Sequence, residues 1–337
     1  MNRRVFLLGL PGMAGCYRPG LRRLNVLNWT DYVAPETIPD FEREFQVRLR
    51  YGTFESAEEM LSRVMSGNSG WDVVFPSNSF VEPMRGMGLL AKLDHSRLKN
   101  LHRLEKRFQR PPWDPEMEFV VPYMWGATGI IYQSLLPSAI TSWADLWDAR
   151  LAGKITMLDD PAEVIGACLK KLHLPLNSGD ARELELSRNE AKAQKPLLRA
   201  YVNDTVRDQL VAGEVMASQA WRPTAVRAMH SAGDKLRFVY PKEGYAIYAD
   251  NAAILRESQR KELAHSFIDY LCRPAVAARI AEVQFSSTVN EDAQALAPKN
   301  VLLYPDAETL SRGEWFAPLS LESQRIRDRI WTEIKAA

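Results

Sequence analysis

The chain has 337 residues, 46% of them hydrophobic and 25% charged, which leaves room for about two domains and excludes a disordered, collagen-like or small disulfide-stapled protein. Lys and Arg (43) nearly cancel Asp and Glu (42), so no overall basic footprint for nucleic acid exists. Three Cys and five His supply little for the usual metal cages, whereas nine Trp and eleven Tyr supply aromatic faces in plenty, so no metal or cofactor is expected.

Met1–Cys16 reads MNRRVFLLGLPGMAGC. A cationic start at Arg3 and Arg4 precedes the apolar run Val5–Leu10 and the small residues before Cys16. That run is too short to span about 30 Å of hydrocarbon, and the segment fits a secretory signal peptide. Arg3-Arg4 followed by Val5-Phe6-Leu7 resembles a twin-arginine export signal. The last four residues resemble a bacterial lipobox, which implies that Cys16 becomes the lipidated first residue of a mature protein on the outer face of the cell membrane. The bland alternative is a buried strand that happens to begin with two arginines. Cys168 and Cys272 lie in apolar helical contexts, where a bridge or two buried free thiols are both open.

From Leu24 strands and helices alternate. Leu24–Trp29 reads as a strand, and Pro35–Phe45 as a helix with Ile38, Phe41 and Phe45 at helical spacing. Val47–Gly52 predicts a strand, and Ser56 with Glu59 forms a Ser-x-x-Glu start for a helix over Ser56–Ser66. Trp71–Phe75 predicts a strand that runs into Pro76-Ser77-Asn78-Ser79, a turn able to open a helix. Such an order predicts parallel α/β layers. Ligands in these sheets bind beyond the carboxyl ends of strands, which puts Asn28–Tyr32 and Pro76–Phe80 on one rim.

Val120–Ile131 is apolar and ends in a predicted strand at Gly129–Tyr132, and Trp143–Trp147 begins a helix. Lys154–Leu158 predicts a strand closing in Asp159-Asp160-Pro161, with Pro161 suited to the first turn of a helix over Ala162–Leu172. Asn177–Arg199 reads as a charged, solvated helix plus linker. Glu214–Ala220 and Leu236–Val239 predict strands, as does Ala246–Leu255, the last broken at Asp250-Asn251. Lys261–Leu271, Ala275–Ala281 and the segment from about Leu321 predict helices. There is no internal repeat.

Four places set acid beside an aromatic ring or at a strand end: Trp29-Thr30-Asp31-Tyr32, Asp160 with Glu163, Trp221, and Tyr248 with Asp250. Residues two apart on a strand share a face, so Tyr248 and Asp250 point the same way. A ring face attracts a cation within about 6 Å, and a carboxylate beside it adds a charge-assisted hydrogen bond. Rings against a methylene chain with carboxylates at its ends select a linear amine. Each place also has a plainer reading: core rings, a helix cap, a strand edge, or a loop closure.

Together, Asn28–Val33, Pro76–Phe80, Tyr123–Thr128, Thr141–Trp147, Leu158–Pro161, Pro241–Gly244 and Leu303–Ala307 resemble the bacterial spermidine/putrescine-binding proteins, the extracytoplasmic receptors of polyamine ABC transporters. The resemblance runs in family order from about Leu24 to the C-terminus. It implies a two-lobed α/β fold of the periplasmic-binding-protein type (type II), hinged on two crossover strands near Trp125–Gly129 and Ala249–Asn251. The first lobe takes 24–125 and 250–292, the second 126–249 and 293–337. The family's pocket then falls on Trp29, Thr30, Asp31, Tyr32, Ser79, Asp160, Glu163, Trp221, Tyr248 and Asp250, with Asp250 anchoring an ammonium. The implied partners are a polyamine, ABC permease subunits and, through Cys16, the membrane; a monomer and no nucleic acid are expected. Ser286, Phe316 and Thr224 depart from the family pattern, and Arg222 adds a positive charge beside the pocket Trp221.

An enzyme is the main rival class. No Gly-x-Ser-x-Gly elbow occurs, and Asp160 and Glu163, three apart on one helix, share one wall instead of flanking a substrate. A second rival keeps the fold and changes the ligand to another organic cation or an anion; an anion calls for Arg or helix N-termini where these loops supply carboxylates.

Overall fold

The computed structural model describes residues 22–203, 205–296 and 302–337. The export signal and Cys16 lie outside the described residues. The strands are β1 (Arg22–Trp29), β2 (Val47–Phe54), β3 (Val73–Val74), β4 (Val120–Gln133), β5 (Ile155–Met157), β6 (Leu198–Tyr201), β7 (Ala217–Trp221), β8 (Leu236–Val239), β9 (Tyr245–Ile254), β10 (Ser287–Thr288) and β11 (Gly313–Trp315). The helices of the first part are α1 (Thr37–Phe45), α2 (Ala57–Val64), α3 (Asn78–Gly86) and the single turn α4 (Lys106–Gln109). They are followed by α5 (Pro161–Lys171), α6 (Ala181–Gln194), α7 (Val206–Val211), α8 (Arg222–Ala232), α9 (Lys261–Leu271), α10 (Pro274–Gln284), α11 (Glu291–Leu296), α12 (Ala307–Ser311) and α13 (Leu321–Ala336).

One mixed sheet runs β2-β1-β3-β9-β4-β7-β5-β6, with β8 and β10 on β4 and β11 on β9. It makes two α/β lobes. In the first, β1 pairs in parallel with β2 and β3; in the second, β5 pairs in parallel with β6 and β7. The antiparallel pair β4–β9 joins them. Its Val120↔Ala253 end abuts β3, and its Ala127↔Ile247 end leads to Thr128–Tyr132, where β4 takes up β7. Both strands are buried almost throughout, as strands covered on two faces must be; in β4 only Tyr132, and in β9 only Tyr248, keeps partial exposure.

Local chemistry explains most boundaries. Helix α1 turns Phe41 inward onto Phe45 and Phe267 at 4.5 and 5.0 Å between ring centroids. Ser56 caps α2 by accepting the Glu59 amide at 3.1 Å, and Glu59 returns its carboxylate to the Glu55 amide at 3.0 Å. Pro161 occupies the first turn of α5 behind the N-cap Asp160.

Several expectations change. β9 is continuous through Asp250 and Asn251, because Asn251 donates to the Pro76 and Ala249 carbonyls (3.2 and 3.0 Å) and accepts the Trp113 indole at 2.9 Å. Satisfied in this way, a buried Asn does not break a strand. Trp143–Trp147 is a 3₁₀ turn with a Ser142/Asp145 capping box, not the start of an α-helix. The charged stretch around α6 buries Leu184, Ser187, Ala191 and Gln194 instead of being solvated all round. Only Val73–Val74 of the predicted Trp71–Phe75 strand enters the ladder. Cys168 and Cys272 are free, buried thiols. Among the described residues no helix is long and apolar enough to cross a membrane.

Candidate functional site

The joining pair β4–β9 carries the centre of the site. Asp250 stands opposite Met124, and Tyr248 opposite Gly126. Thr128 follows two residues further along β4, opposite Trp221 of β7. By strand alternation Asp250, Tyr248, Gly126 and Thr128 share one face. Gly126 has a specific reason to be glycine: a Cβ there falls 2.3 Å from the Tyr248 ring, so the bare backbone lets that ring lie flat across the strand.

At one end, Asp250 is 3% exposed and accepts the Tyr32 hydroxyl at 2.5 Å. Trp29 lies beside them, its indole donating to the Phe75 carbonyl at 3.0 Å and its ring 6.4 Å from that of Tyr32. Tyr123 fixes the loop by donating to the Tyr32 carbonyl at 2.6 Å. Burial raises the Asp250 carboxyl from the usual range to about 7, against the lowering effect of the Tyr32 and Trp29 hydrogen bonds. Tyr32 is pushed well above its ordinary value by burial and then by the Asp250 charge.

The second end belongs to the other lobe. Glu163, also 3% exposed, accepts the Thr128 hydroxyl at 2.7 Å and the Trp221 indole at 2.9 Å. Its amide donates to the Asp160 carboxylate at 3.0 Å, the cap of α5. Burial, and then the Asp160 charge, raise the Glu163 carboxyl, and burial raises Asp160 as well. Among the described residues none of Asp160, Glu163 and Asp250 has an ion-pair partner. From Met124 to Thr128 the strand runs about 13 Å, which sets the scale between the two acidic ends.

The remaining candidates fall at the rim. Asp31 is exposed in a left-handed turn (φ 53°), and Thr30 is exposed with its amide on the Phe54 carbonyl at 3.1 Å. Ser79, half-buried in the first turn of α3, has its hydroxyl 3.5 Å from that of Ser77. Tyr248 is the half-buried ring between the two ends. Arg222 does not enter this face. Its fully buried guanidinium stacks 4.5 Å from the Trp125 ring centroid and donates to the Trp125 carbonyl at 3.1 Å and to the Ser287 hydroxyl. Trp125 neighbours Gly126 on β4, so alternation puts this contact behind the site.

Three further side chains hold this face together and are not among the sequence-derived candidates: Thr128, Tyr123 and Asn78. Period-2 spacing from Gly126 marks Thr128; nothing local marks the other two. Asn78 accepts the Ala249 amide at 3.0 Å and donates to the Phe316 carbonyl at 2.5 Å, tying α3 to β9 and to the segment after β11.

Two lobes joined by paired strands, with buried acids and rings gathered at the join, define a class: the two-lobed solute-binding receptors. The match to the family model described as bacterial extracellular solute-binding protein covers residues 69–312, and the chain belongs to that family. The spermidine/putrescine-binding periplasmic protein of Salmonella typhimurium is 35% identical over 332 residues, 96% of this chain and 95% of that one. Putrescine-binding periplasmic protein PotF of Escherichia coli is 28% identical over 94% of this chain and 92% of its own length. A putative spermidine/putrescine ABC transporter structure from Listeria monocytogenes superposes with a TM-score of 0.89 at 29% identity, covering 93% of this chain and 99% of that one. The TpPotD lipoprotein of Treponema pallidum does so with a TM-score of 0.85 at 26% identity, over 93% and 99% of the two chains.

Proposed function

We propose that this chain is the extracytoplasmic receptor of a polyamine ABC transporter, binding a spermidine- or putrescine-class cation between its lobes and delivering it to a permease. The observation that carries the reading is the pair of buried carboxylates, Asp250 and Glu163, one at each end of an aromatic-walled face and neither with a cation of its own. Charges so placed are costly unless a guest brings the opposite sign. A separation on the order of 13 Å along the strand suits a linear ion charged at both ends better than a compact one. The relatives' names point to the same ligand class.

In this reading Asp250 and Glu163 hold the terminal ammonium groups, and Tyr248, Trp29, Tyr32 and Trp221 enclose the methylenes. Thr30, Asp31, Ser79 and Asp160 complete the set at the rim. The lobes divide as 24–125 with 250–292 and 126–249 with 293–337, and the hinge is β4–β9. No step in binding or release needs a catalytic residue. The mature chain is held at the membrane by a lipid on Cys16 after export, by the twin-arginine route, and acts as a monomer; the Treponema pallidum neighbour is itself named a lipoprotein.

Calorimetry with spermidine and putrescine tests the reading. Asp250→Asn removes a charged partner but keeps the shape, and a hydrogen bond to a charged group contributes about 1.5–3 kcal/mol. Binding is therefore expected to weaken about tenfold or more. An unchanged affinity in that variant refutes the placement, and saturable binding of an anion in place of any amine refutes the ligand class.

A further inference from the structure

The strand that ends at the binding site begins at a basic groove. Arg22 and Arg23, the first residues of β1, line an open groove of about 510 Å³ with Arg260, Lys261 and Glu262 at the start of α9. Both N-terminal arginines are exposed, and Arg23 stands in register with the exposed Arg48 of β2. The acids nearby are already engaged. Glu262 pairs with Arg97 at 2.8 Å, and the buried Asp72 pairs with Arg260 at 3.3 Å. Arg22, Arg23 and Lys261 have no carboxylate partner among the described residues; Lys261 donates only to the Ser258 carbonyl, at 2.6 Å. The chain as a whole is nearly neutral, so this is a local excess of positive charge.

Its position on the chain says what covers it. Five residues lie between Cys16 and Arg22, and the six Cα–Cα steps from one to the other reach at most about 20 Å fully extended. With a lipid on Cys16, this groove is therefore forced to within about 20 Å of the bilayer, whatever path the connecting residues take. Beside a lipid anchor, a cluster of basic residues adds attraction to an anionic membrane surface. We infer that the Arg22/Arg23/Lys261 groove is a docking surface for anionic phospholipid headgroups. The inference rests on the Cys16 anchor proposed above for its geometry, and on the groove's own charge for its chemistry.

Flotation of the full mature chain on vesicles tests this, with phosphatidylcholine alone set against an equal mixture of phosphatidylcholine and phosphatidylglycerol. The mixed vesicles are expected to bind more tightly, and the gain to vanish in high salt. The triple variant Arg22→Gln/Arg23→Gln/Lys261→Gln is expected to lose about a hundredfold in affinity for the mixed vesicles, from about 1 kcal/mol per cation near such a surface. Its binding to neutral vesicles and its amine affinity should stay unchanged, which shows that it folds and keeps its anchor. Equal wild-type binding to both vesicles, or a triple variant that still prefers the mixed ones, overturns the inference. Saturable binding of inorganic phosphate in the groove, without vesicle preference, reassigns it to a soluble anion and overturns it too. Mass spectrometry of Cys16 reads the anchor separately: anionic preference in a chain without acyl groups upholds the groove and refutes only the anchor.

Discussion

Asp250 and Glu163 are ordinary carboxylic acids in an unusual place. Free carboxyls titrate near 4, while burial raises Asp250 to about 7 and raises Glu163 in the same direction. The consequences have a definite sign. In the empty receptor the folded state holds protons that the unfolded chain has already released, from about pH 4 up to the raised values. Stability therefore falls as pH climbs through that window. A bound ammonium reverses the balance by favouring the charged carboxylates, so ligand binding expels protons. Amine affinity is expected to rise between pH 5 and 7, by up to about one decade per pH unit for each proton expelled. Calorimetry at pH 6 in buffers of different ionisation enthalpy should show proton release. The melting temperature of the empty protein should drop over the same range, while that of the loaded protein stays flatter. A binding enthalpy independent of buffer shows that the carboxylates are already ionised when empty, and ends this account.

Two strands, β4 and β9, decide how those residues meet. They place Asp250 and Tyr248 on one face, and Gly126 makes the space in which the Tyr248 ring lies. Gly126→Ala drives a methyl into that ring and is expected to weaken amine binding by about three- to thirtyfold, the range of one lost cation–π contact. Far-UV circular dichroism should be unchanged, because Ala is accommodated in a strand backbone. Undiminished binding shows that the ring is not part of the site. Much at this scale is legible from residue order alone. Helix α9 and the start of α13 fall where periodicity puts them, and Ser56 caps α2 as its spacing predicts. Alternation alone puts Tyr248 and Asp250 together. What residue order hides is tertiary. The continuity of β9 depends on Trp113, which lies 138 positions away and satisfies Asn251. The harmlessness of Arg222 depends on Trp125 and Ser287 receiving its charge behind the sheet. Asn78 reads as a turn residue until Ala249 and Phe316 come within its reach.

At the scale of the whole molecule the proposed function makes the receptor a two-handed clamp, with one acidic end for each lobe. Asp250 is anchored with Tyr32 and Trp29 on the first lobe, Glu163 with Trp221 on the second. A ligand can shift the lobes toward closure only by as much as it prefers the closed form. That preference requires the ligand to touch both lobes at once. Spermidine has an ammonium for each end. A monoamine of similar apolar character, such as butylamine, can satisfy one carboxylate and leaves the other buried without a partner. Spermidine at saturation is therefore expected to reduce the radius of gyration measured by small-angle X-ray scattering and to raise the melting temperature, as any ligand selective for a folded form does. Butylamine is expected to bind at least about a hundredfold more weakly, having lost one charged hydrogen-bonded contact of about 1.5–3 kcal/mol and the closure that depends on it. At concentrations that saturate its site it should leave the radius of gyration unchanged. Compaction by butylamine to the same extent as by spermidine means that one end alone drives closure, and the two-ended account of Asp250 and Glu163 is then wrong.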